Sequence, residues 1–275
     1  MRKKIETLYR NIFPKKITNY NSLKINFRDK CGLEIGGPSH AFTNKGFLPL
    51  YSIVKNLDGC NFASNTVWEG EILSGKNYRF GNRRGTQFIF DGGNLNVIAN
   101  DTYDFVLSCH SLEHMANPIK ALIEWKRVIT NDSHVLLIIP HKDNTFDRNR
   151  PLTTLDHLIN DLENNTQEND TTHFEEVIAL HDISLDAGVK EKEALKLRTL
   201  DNINNRCVHH HVFNTPLVAK MIDFAGFRIC EIQHFNPFHI VFLMQKTSSE
   251  FNNFSFLSPK NKAFQKPQFP SDMIW

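Results

Sequence analysis

No stretch of this chain approaches the roughly eighteen consecutive apolar residues that a membrane-spanning helix needs, so no membrane association is expected. Cysteine is scarce. The five cysteines in 275 residues (Cys31, Cys60, Cys109, Cys207, Cys230) are scattered, with no C-x-x-C pair. That pattern excludes a disulfide framework and a thiolate zinc cluster and points to a reducing, cytoplasmic setting. Charge of one sign is missing too: a formal net charge of +2 gives no strong pull on polyanions, so no nucleic-acid partner is expected. Met1-Arg2-Lys3-Lys4 is basic but has no apolar run behind it, and no signal peptide is expected. What is present is ordinary globular material, 40% hydrophobic and 23% charged, enough for one substantial core carrying an elaborate insertion.

A further absence is more telling. Gly32-Leu33-Glu34-Ile35-Gly36-Gly37-Pro38-Ser39 reads as an apolar strand that ends on a carboxylate and a glycine pair. Glycines in such a turn let backbone approach a ligand closely, and open α/β sheets hold ligands at the carboxyl ends of their strands. A dinucleotide fingerprint needs G-x-G-x-x-G. Here the third glycine is missing, and Pro38 brings no N–H. Glu34 would repel a pyrophosphate but suits an ammonium group. S-adenosylmethionine has an ammonium group and no phosphate.

Apolar runs of strand length fall at 32–35, 53–57, 87–90, 103–107, 135–139, 228–233 and 239–245, with helix-like periodicity between them, as after Pro118. Alternation of this kind predicts a mostly parallel sheet with helices on both faces. The last two runs are close enough for an antiparallel hairpin at the edge. Residues 1–30 read as a partly helical lead-in covering the sheet edge, and 31–246 as the main domain. Within it, 141–211 is surplus to a minimal fold of this class and reads as a largely helical lid after the fifth strand. It holds seven of the thirteen histidines and has 14 acidic against 8 basic residues, a net −6 that opposes a phosphate backbone. The tail, 247–275, is aromatic (Phe251, Phe254, Phe256, Phe264, Phe269, Trp275) and reads as a strap on the domain surface, with a homodimer contact as its alternative.

Five segments in order carry a resemblance: Leu33-Glu34-Ile35-Gly36-Gly37; Asp58 closing a second strand; Phe90-Asp91-Gly92; Tyr103 to Ser108 with Leu112-Glu113-His114; and Val135 to Pro140. Together they span roughly 30–140, and the pattern resumes at about 212–246. The chain resembles the class I S-adenosylmethionine-dependent methyltransferases with a degenerate first motif. That resemblance implies a Rossmann-like α/β fold with an antiparallel C-terminal hairpin, and S-adenosylmethionine as cofactor. Glu34 then holds the cofactor's amino group, Gly36 and Gly37 lie under its methionine portion, and Ser39 offers a hydroxyl or caps the next turn. Asp58, 24 residues after Glu34, takes the ribose hydroxyls, with Trp68 and Glu69 close enough to intrude. Asp91 and Gly92 contact adenine, and Ser108 the methionine end.

Methyl transfer from a sulfonium needs alignment above all; a hydroxyl acceptor also needs a base, a task suited to histidine. His141 and His110 follow strand ends and are the candidate bases, and Glu113-His114 is read as fixing the following helix. His209-His210-His211 reads as an acceptor-binding wall in preference to a metal site that would recruit His173, His181 or Asp182. Arg148 and Arg150 are candidate clamps for an acidic group, salt bridges within the insertion being the alternative. No metal is expected. The function implied is methyl transfer to a small or nucleotide-linked acceptor, at oxygen, with a sugar or surface-glycan precursor as the class suggested by analogy. A methyltransferase-fold protein that has lost activity and serves assembly is the competing expectation.

Overall fold

A computed structural model describes residues 15–261 and 267–274. The first half of the expected lead-in and two tail aromatics, Phe264 and Trp275, lie outside the described residues. Eight strands form one sheet: β1 (Cys31–Ile35), β2 (Asn56–Asn61), β5 (Gly75–Phe80), β6 (Arg83–Ile89), β7 (Tyr103–Cys109), β8 (Ile129–Pro140), β9 (Arg228–Phe235) and β10 (His239–Gln245). A small hairpin, β3 (Asn65–Thr66) with β4 (Gly70–Glu71), stands apart from it.

The order across the large sheet is β5-β6-β2-β1-β7-β8-β10-β9. Strands β6, β2, β1, β7 and β8 are parallel, and an antiparallel hairpin closes each edge. The expected C-terminal hairpin is there; β5 and the β3–β4 hairpin were not anticipated. After β1 the chain builds outward through β2 to β6, then crosses back to place β7 on the other side of β1. That reversal leaves a crevice at the carboxyl ends of β1 and β7, where such sheets hold ligands.

One sheet face is covered by α1 (Pro118–Val128) and α5 (Thr215–Phe224), whose buried Trp125, Leu122, Met221 and Ile222 pack on Leu33, Val106, Val135 and Phe242. Helix α1 starts where Asn117 caps it, accepting from Lys120 N, with Pro118 at its first position. The opposite face is covered by short helical turns at Tyr20–Leu23, Lys24–Asn26 and His40–Phe42, which bury Leu23, Phe27 and Phe42 against Phe105, Leu107, Leu136 and Ile138. The segment between β8 and α5 contains α2 (Leu155–Glu163), α3 (Phe174–Leu180) and α4 (Lys192–Leu200), with a small core of its own around Phe174, Val177, Val189, Leu195 and Val208.

Both ends of that segment are tied to one residue. Asp272 is fully buried; its Oδ1 lies 3.0 Å from His141 Nε2 and accepts from Thr215 N at 2.7 Å, and its Oδ2 accepts from Thr215 Oγ1 at 2.8 Å. From the tail, Phe269 is buried and stacks on His141 at 4.0 Å. Phe256 also packs on the main core, whereas Phe254 is 76% exposed.

His134 on β8 is pushed down to about 4, first by burial and then by Lys30. A histidine with a depressed folded pKa stabilises the fold above about 6.5 and loses that contribution as pH falls toward 4, because the unfolded chain takes the proton first. Between pH 7.5 and 5 the protein should therefore lose on the order of 1–2 kcal/mol more unfolding free energy than His134→Asn. Urea titrations at the two pH values measure the difference.

Candidate functional site

A cleft of about 980 Å³ opens at the carboxyl ends of the central strands. Ile35 and Gly36 line it from β1, Asn61 and Phe62 from the end of β2, Asp91 and Gly92 beyond β6, and Cys109, His110 and Ser111 at the end of β7. The insertion supplies the opposite wall, including Phe146, Asp186, Arg198, Arg206 and His209.

Glu34 shapes this cleft without entering it, contrary to the role given it from sequence. The side chain is fully buried. Its Oε1 accepts from Ser39 N (2.9 Å) and Ser39 Oγ (2.6 Å), and its Oε2 from the hydroxyls of Tyr51 (2.7 Å) and Tyr78 (2.6 Å). Four donors occupy the carboxylate, so none of its lone pairs is left for an ammonium. Burial raises its pKa, and these hydrogen bonds oppose the rise. Gly36 and Gly37 are demanded by the same packing. Gly36 has φ +75°, and a Cβ there would sit 2.0 Å from Ser111 Oγ; at Gly37 it would sit 2.3 Å from the Tyr78 hydroxyl. Gly36 and Ser39 face the cleft.

Asp58 is also withdrawn. Strand β2 runs three residues further than the apolar pattern suggested, which leaves Asp58 mid-strand. There it accepts from Thr86 N (2.7 Å) and the Tyr103 hydroxyl (2.9 Å). The strand-end position belongs to Asn61, which donates to Gly37 O (3.0 Å) and accepts from Gln87 Nε2 (2.9 Å). Trp68 and Glu69, on the β3–β4 hairpin, do reach the cleft. Asp91 and Gly92 lie in the wall; Asp91 accepts from Gly93 N at 2.7 Å and pairs with Arg206 at 3.3 Å. Ser108 is fully buried behind the wall, its hydroxyl without a partner, and Ser111 stands in the position expected of it.

Of the two candidate bases, His141 is removed from the cleft. It is fully buried, its Nε2 bound to Asp272, its Nδ1 accepting from Asp143 N at 3.2 Å. His110 does face the cleft, at φ +54°, a left-handed conformation unusual outside glycine. Its Nε2 is 2.8 Å from His239 Nδ1, and its Nδ1 is 3.3 Å from Glu113 Oε1. Glu113 is buried, and its pKa is lowered: burial alone would raise it, but the neighbouring His110, His114 and His209 outweigh that.

The histidine triplet divides. His209 lines the cleft, whereas His210 and His211 are buried away from it. Neither predicted arginine clamp reaches the site. Arg150 is 2% exposed and is consumed by Asp147 and Glu176, each at 2.8 Å, and by His209 O. Arg148 pairs with Asp182. The cleft's cations are Arg198, held by Asp186 at 2.6 Å, and Arg206, which bridges Asp91 and Glu168. Burial raises Glu168 to about 7.

Asp147 was not anticipated as a site residue. Its Oδ2 lies 2.6 Å from His209 Nδ1, and its Oδ1 accepts from Arg150 Nη1 at 2.8 Å. Burial would raise this carboxyl, but His209 and Arg150 prevail and hold it at about 2. With Asp147 ionised, His209 carries its hydrogen on Nδ1, which leaves Nε2 as its unprotonated nitrogen. The sequence signal was Asp147-Arg148-Asn149-Arg150, where the arginines drew attention from the carboxylate.

Comparison with known proteins agrees with the strand order. Residues 76–137, from β5 to β8 and including Asp91, His110 and Glu113, match the family described as Methyltransferase domain. That match assigns the segment from β5 to β8 to a methyltransferase domain. No curated protein matches in sequence. Among solved structures it is similar to a SAM-dependent methyltransferase from Aquifex aeolicus (12% identity, 88% of this chain and 96% of the other, TM-score 0.42). It is also similar to the 1,6-didemethyltoxoflavin-N1-methyltransferase of Burkholderia thailandensis (11%, 87% and 82%, TM-score 0.47) and to an arsenic(III) S-adenosylmethionine methyltransferase of Chlamydomonas reinhardtii (11%, 82% and 67%, TM-score 0.44).

The lining of the cleft suits an adenosyl sulfonium in chemistry. Gly36, Ser39 and Ser111 would meet the methionine portion, Asn61 and Glu69 the ribose, and Asp91, Gly92 and Phe62 the adenine.

Two variants separate architecture from chemistry. Glu34→Ala leaves the Tyr51 and Tyr78 hydroxyls buried without their carboxylate acceptor, and should cost about 3 kcal/mol or more of unfolding free energy. His141→Ala should likewise act on stability, with S-adenosylhomocysteine affinity per folded molecule unchanged. Denaturant unfolding paired with calorimetry reads both; a His141→Ala protein of full stability but impaired turnover would return His141 to the base role.

Proposed function

We propose that this methyltransferase acts at an oxygen of a small polar acceptor, with His209 taking the acceptor's proton. The Asp147–His209 pair on the insertion wall, facing the strand ends, carries this reading. When bound, S-adenosylmethionine supplies a methyl group on a sulfonium: the acceptor oxygen forms the new C–O bond as the C–S pair leaves with sulfur. The hydroxyl proton passes to His209 Nε2. Asp147 orients the imidazole and stabilises it once protonated. Buried Glu113 adds a second negative charge close by. Water is kept out by Phe146, Phe238 and Trp68, all of which line the cleft.

A hydroxyl-rich acceptor such as a sugar or nucleotide-linked sugar suits this wall, since His110, His239 and Asp186 offer polar contacts and Arg198 and Arg206 place cations nearby. The insertion's net −6 favours such an acceptor over a nucleic acid. All five cysteines are unpaired, which fits a reducing cytoplasm. The exposed Phe254, beside the partly exposed Phe251, is the contact we assign to a homodimer; sedentary monomer mass in sedimentation at micromolar concentration would refute it.

The test is a panel of sugars, nucleotide sugars and phosphorylated sugars incubated with the protein and cofactor, read by acceptor mass and S-adenosylhomocysteine release. On a responsive acceptor, His209→Asn should lower kcat on the order of 10²–10⁴-fold while cofactor affinity stays put. An undiminished kcat removes His209 from the base role.

A further inference from the structure

Behind the cleft wall lies a second histidine cluster that the methyl-transfer reading does not use. Helix α2 carries His157 and Asp161 one turn apart, on one face. His173 caps α3, and His211 follows the cleft histidine by two residues. Ligand-type atoms of His157, His173 and His211 lie within 4.8 Å of one another. His157 Nε2 and His173 Nε2 face each other at 3.1 Å. Asp161 Oδ2 stands 3.4 Å from His157 Nε2 and 3.5 Å from His211 Nε2.

Hydrogen bonding among these groups leaves the cluster unsatisfied. Only one ring can donate across the His157–His173 contact. Asp161 Oδ2 is buried and accepts no hydrogen bond, and His211, 1% exposed, has a ring nitrogen with no partner. A buried carboxylate oxygen and converging imidazole lone pairs are costly left alone. A divalent cation would satisfy them together. Bonds of about 2.0–2.1 Å to nitrogen in a tetrahedron put neighbouring ligand atoms roughly 3.4 Å apart, close to the 3.1 and 3.4 Å separations of His157 Nε2 from His173 and Asp161.

We propose that His157, Asp161, His173 and His211 form a binding site for a zinc-class divalent metal ion. Three imidazoles and one carboxylate are a borderline-soft donor set of the kind zinc takes in closed sites. The second shell is in place: Asp161 Oδ1 accepts from Thr166 Oγ1 at 3.0 Å, and His211 Nε2 donates to Ala116 O at 3.2 Å, which leaves its partnerless Nδ1 as the ligand nitrogen. None of the four residues lines the cleft, so the ion's task is architectural. It staples α2 and the start of α3 to the strand-like segment that carries His209, thereby fixing the cleft wall. Asn117 Nδ2, donating to Asp161 O at 2.7 Å, ties the same helix end to α1. This proposal stands apart from the methyl-transfer reading and corrects the expectation that no metal binds.

Another group, Glu113, His114 and His209, also gathers ligand-type atoms within 4.8 Å, and the experiment must separate the two. Chelator-stripped full-length protein is titrated with Co(II) and followed by visible absorption, then with Zn(II) and followed by thermal unfolding. One equivalent of cobalt should give the intense bands of a tetrahedral site, and zinc at a hundredfold excess over its Kd should raise the unfolding midpoint by roughly 5–10 °C. Both signals should vanish in His157→Ala and His173→Ala, where the replaced rings are half-buried, and persist in His209→Asn. X-ray absorption of the zinc-loaded wild type, which depends on no variant, should show three imidazole nitrogens and one oxygen. No cobalt spectrum, a spectrum untouched by His157→Ala and His173→Ala, one abolished by His209→Asn instead, or a shell without three imidazoles overturns the proposal.

Discussion

The cleft takes its shape from a carboxylate it never exposes. Glu34 ends β1 and draws the next turn back over itself: Ser39 from the turn, Tyr51 from the connection to β2 and Tyr78 from edge strand β5 all donate to it. A buried charge of this kind is tolerated only when its lone pairs are filled. Here the donors come from three separate parts of the chain, so the β1 turn, the cover on one sheet face and the edge hairpin are fixed together. The glycine pair follows from that arrangement, because side chains at Gly36 or Gly37 would collide with Ser111, Tyr78 or Glu34 itself. The turn is organised by the protein before any ligand arrives.

Charge is handled differently on the two sides of the cleft. On the sheet side Glu34 and Asp58 are withdrawn and spoken for, and the ends of β1, β2 and β7 face the cleft with glycine, hydroxyl, amide, aromatic and imidazole groups. On the insertion side charges are paired but reach the opening: Arg198 with Asp186, Arg206 with Asp91 and Glu168, His209 with Asp147. Such pairs keep desolvated charges in fixed geometry, at a cost the surrounding hydrogen bonds must offset. Division of labour follows: the sheet offers shape, and the insertion offers polarity and paired charge.

Much of this was legible in the sequence. Apolar runs located β1, β7, β8 and β10, whose cores are buried on both faces, and the half-buried edge strand β9 beside them. They misjudged β2, whose Asn56-Leu57-Asp58-Gly59-Cys60-Asn61 breaks the apolar pattern, and the three-residue error turned Asp58 from a mid-strand hydrogen-bond acceptor into a supposed ribose ligand. They missed β5 because Gly75-Lys76-Asn77-Tyr78-Arg79-Phe80 is an edge strand with one wet face. At the site, Glu34, His141 and Arg150 had the right chemistry at the right spacing; tertiary partners (two tyrosines, Asp272 and Glu176) consumed all three. Partnerships across 17 to 131 positions leave no local trace in sequence. His209 was visible as part of a triplet, but only the fold shows that its neighbours turn the other way.

The clasp at Asp272 bears on how the molecule is assembled. Its two partners, His141 and Thr215, stand at the neck of the insertion, and both leave the ribosome before Asp272 does. The parallel sheet can therefore pair while the neck is still open, and the neck gains its last buried partner when the strap arrives. A nascent chain halted ahead of that strap would leave His141 and Thr215 without the carboxylate that joins them.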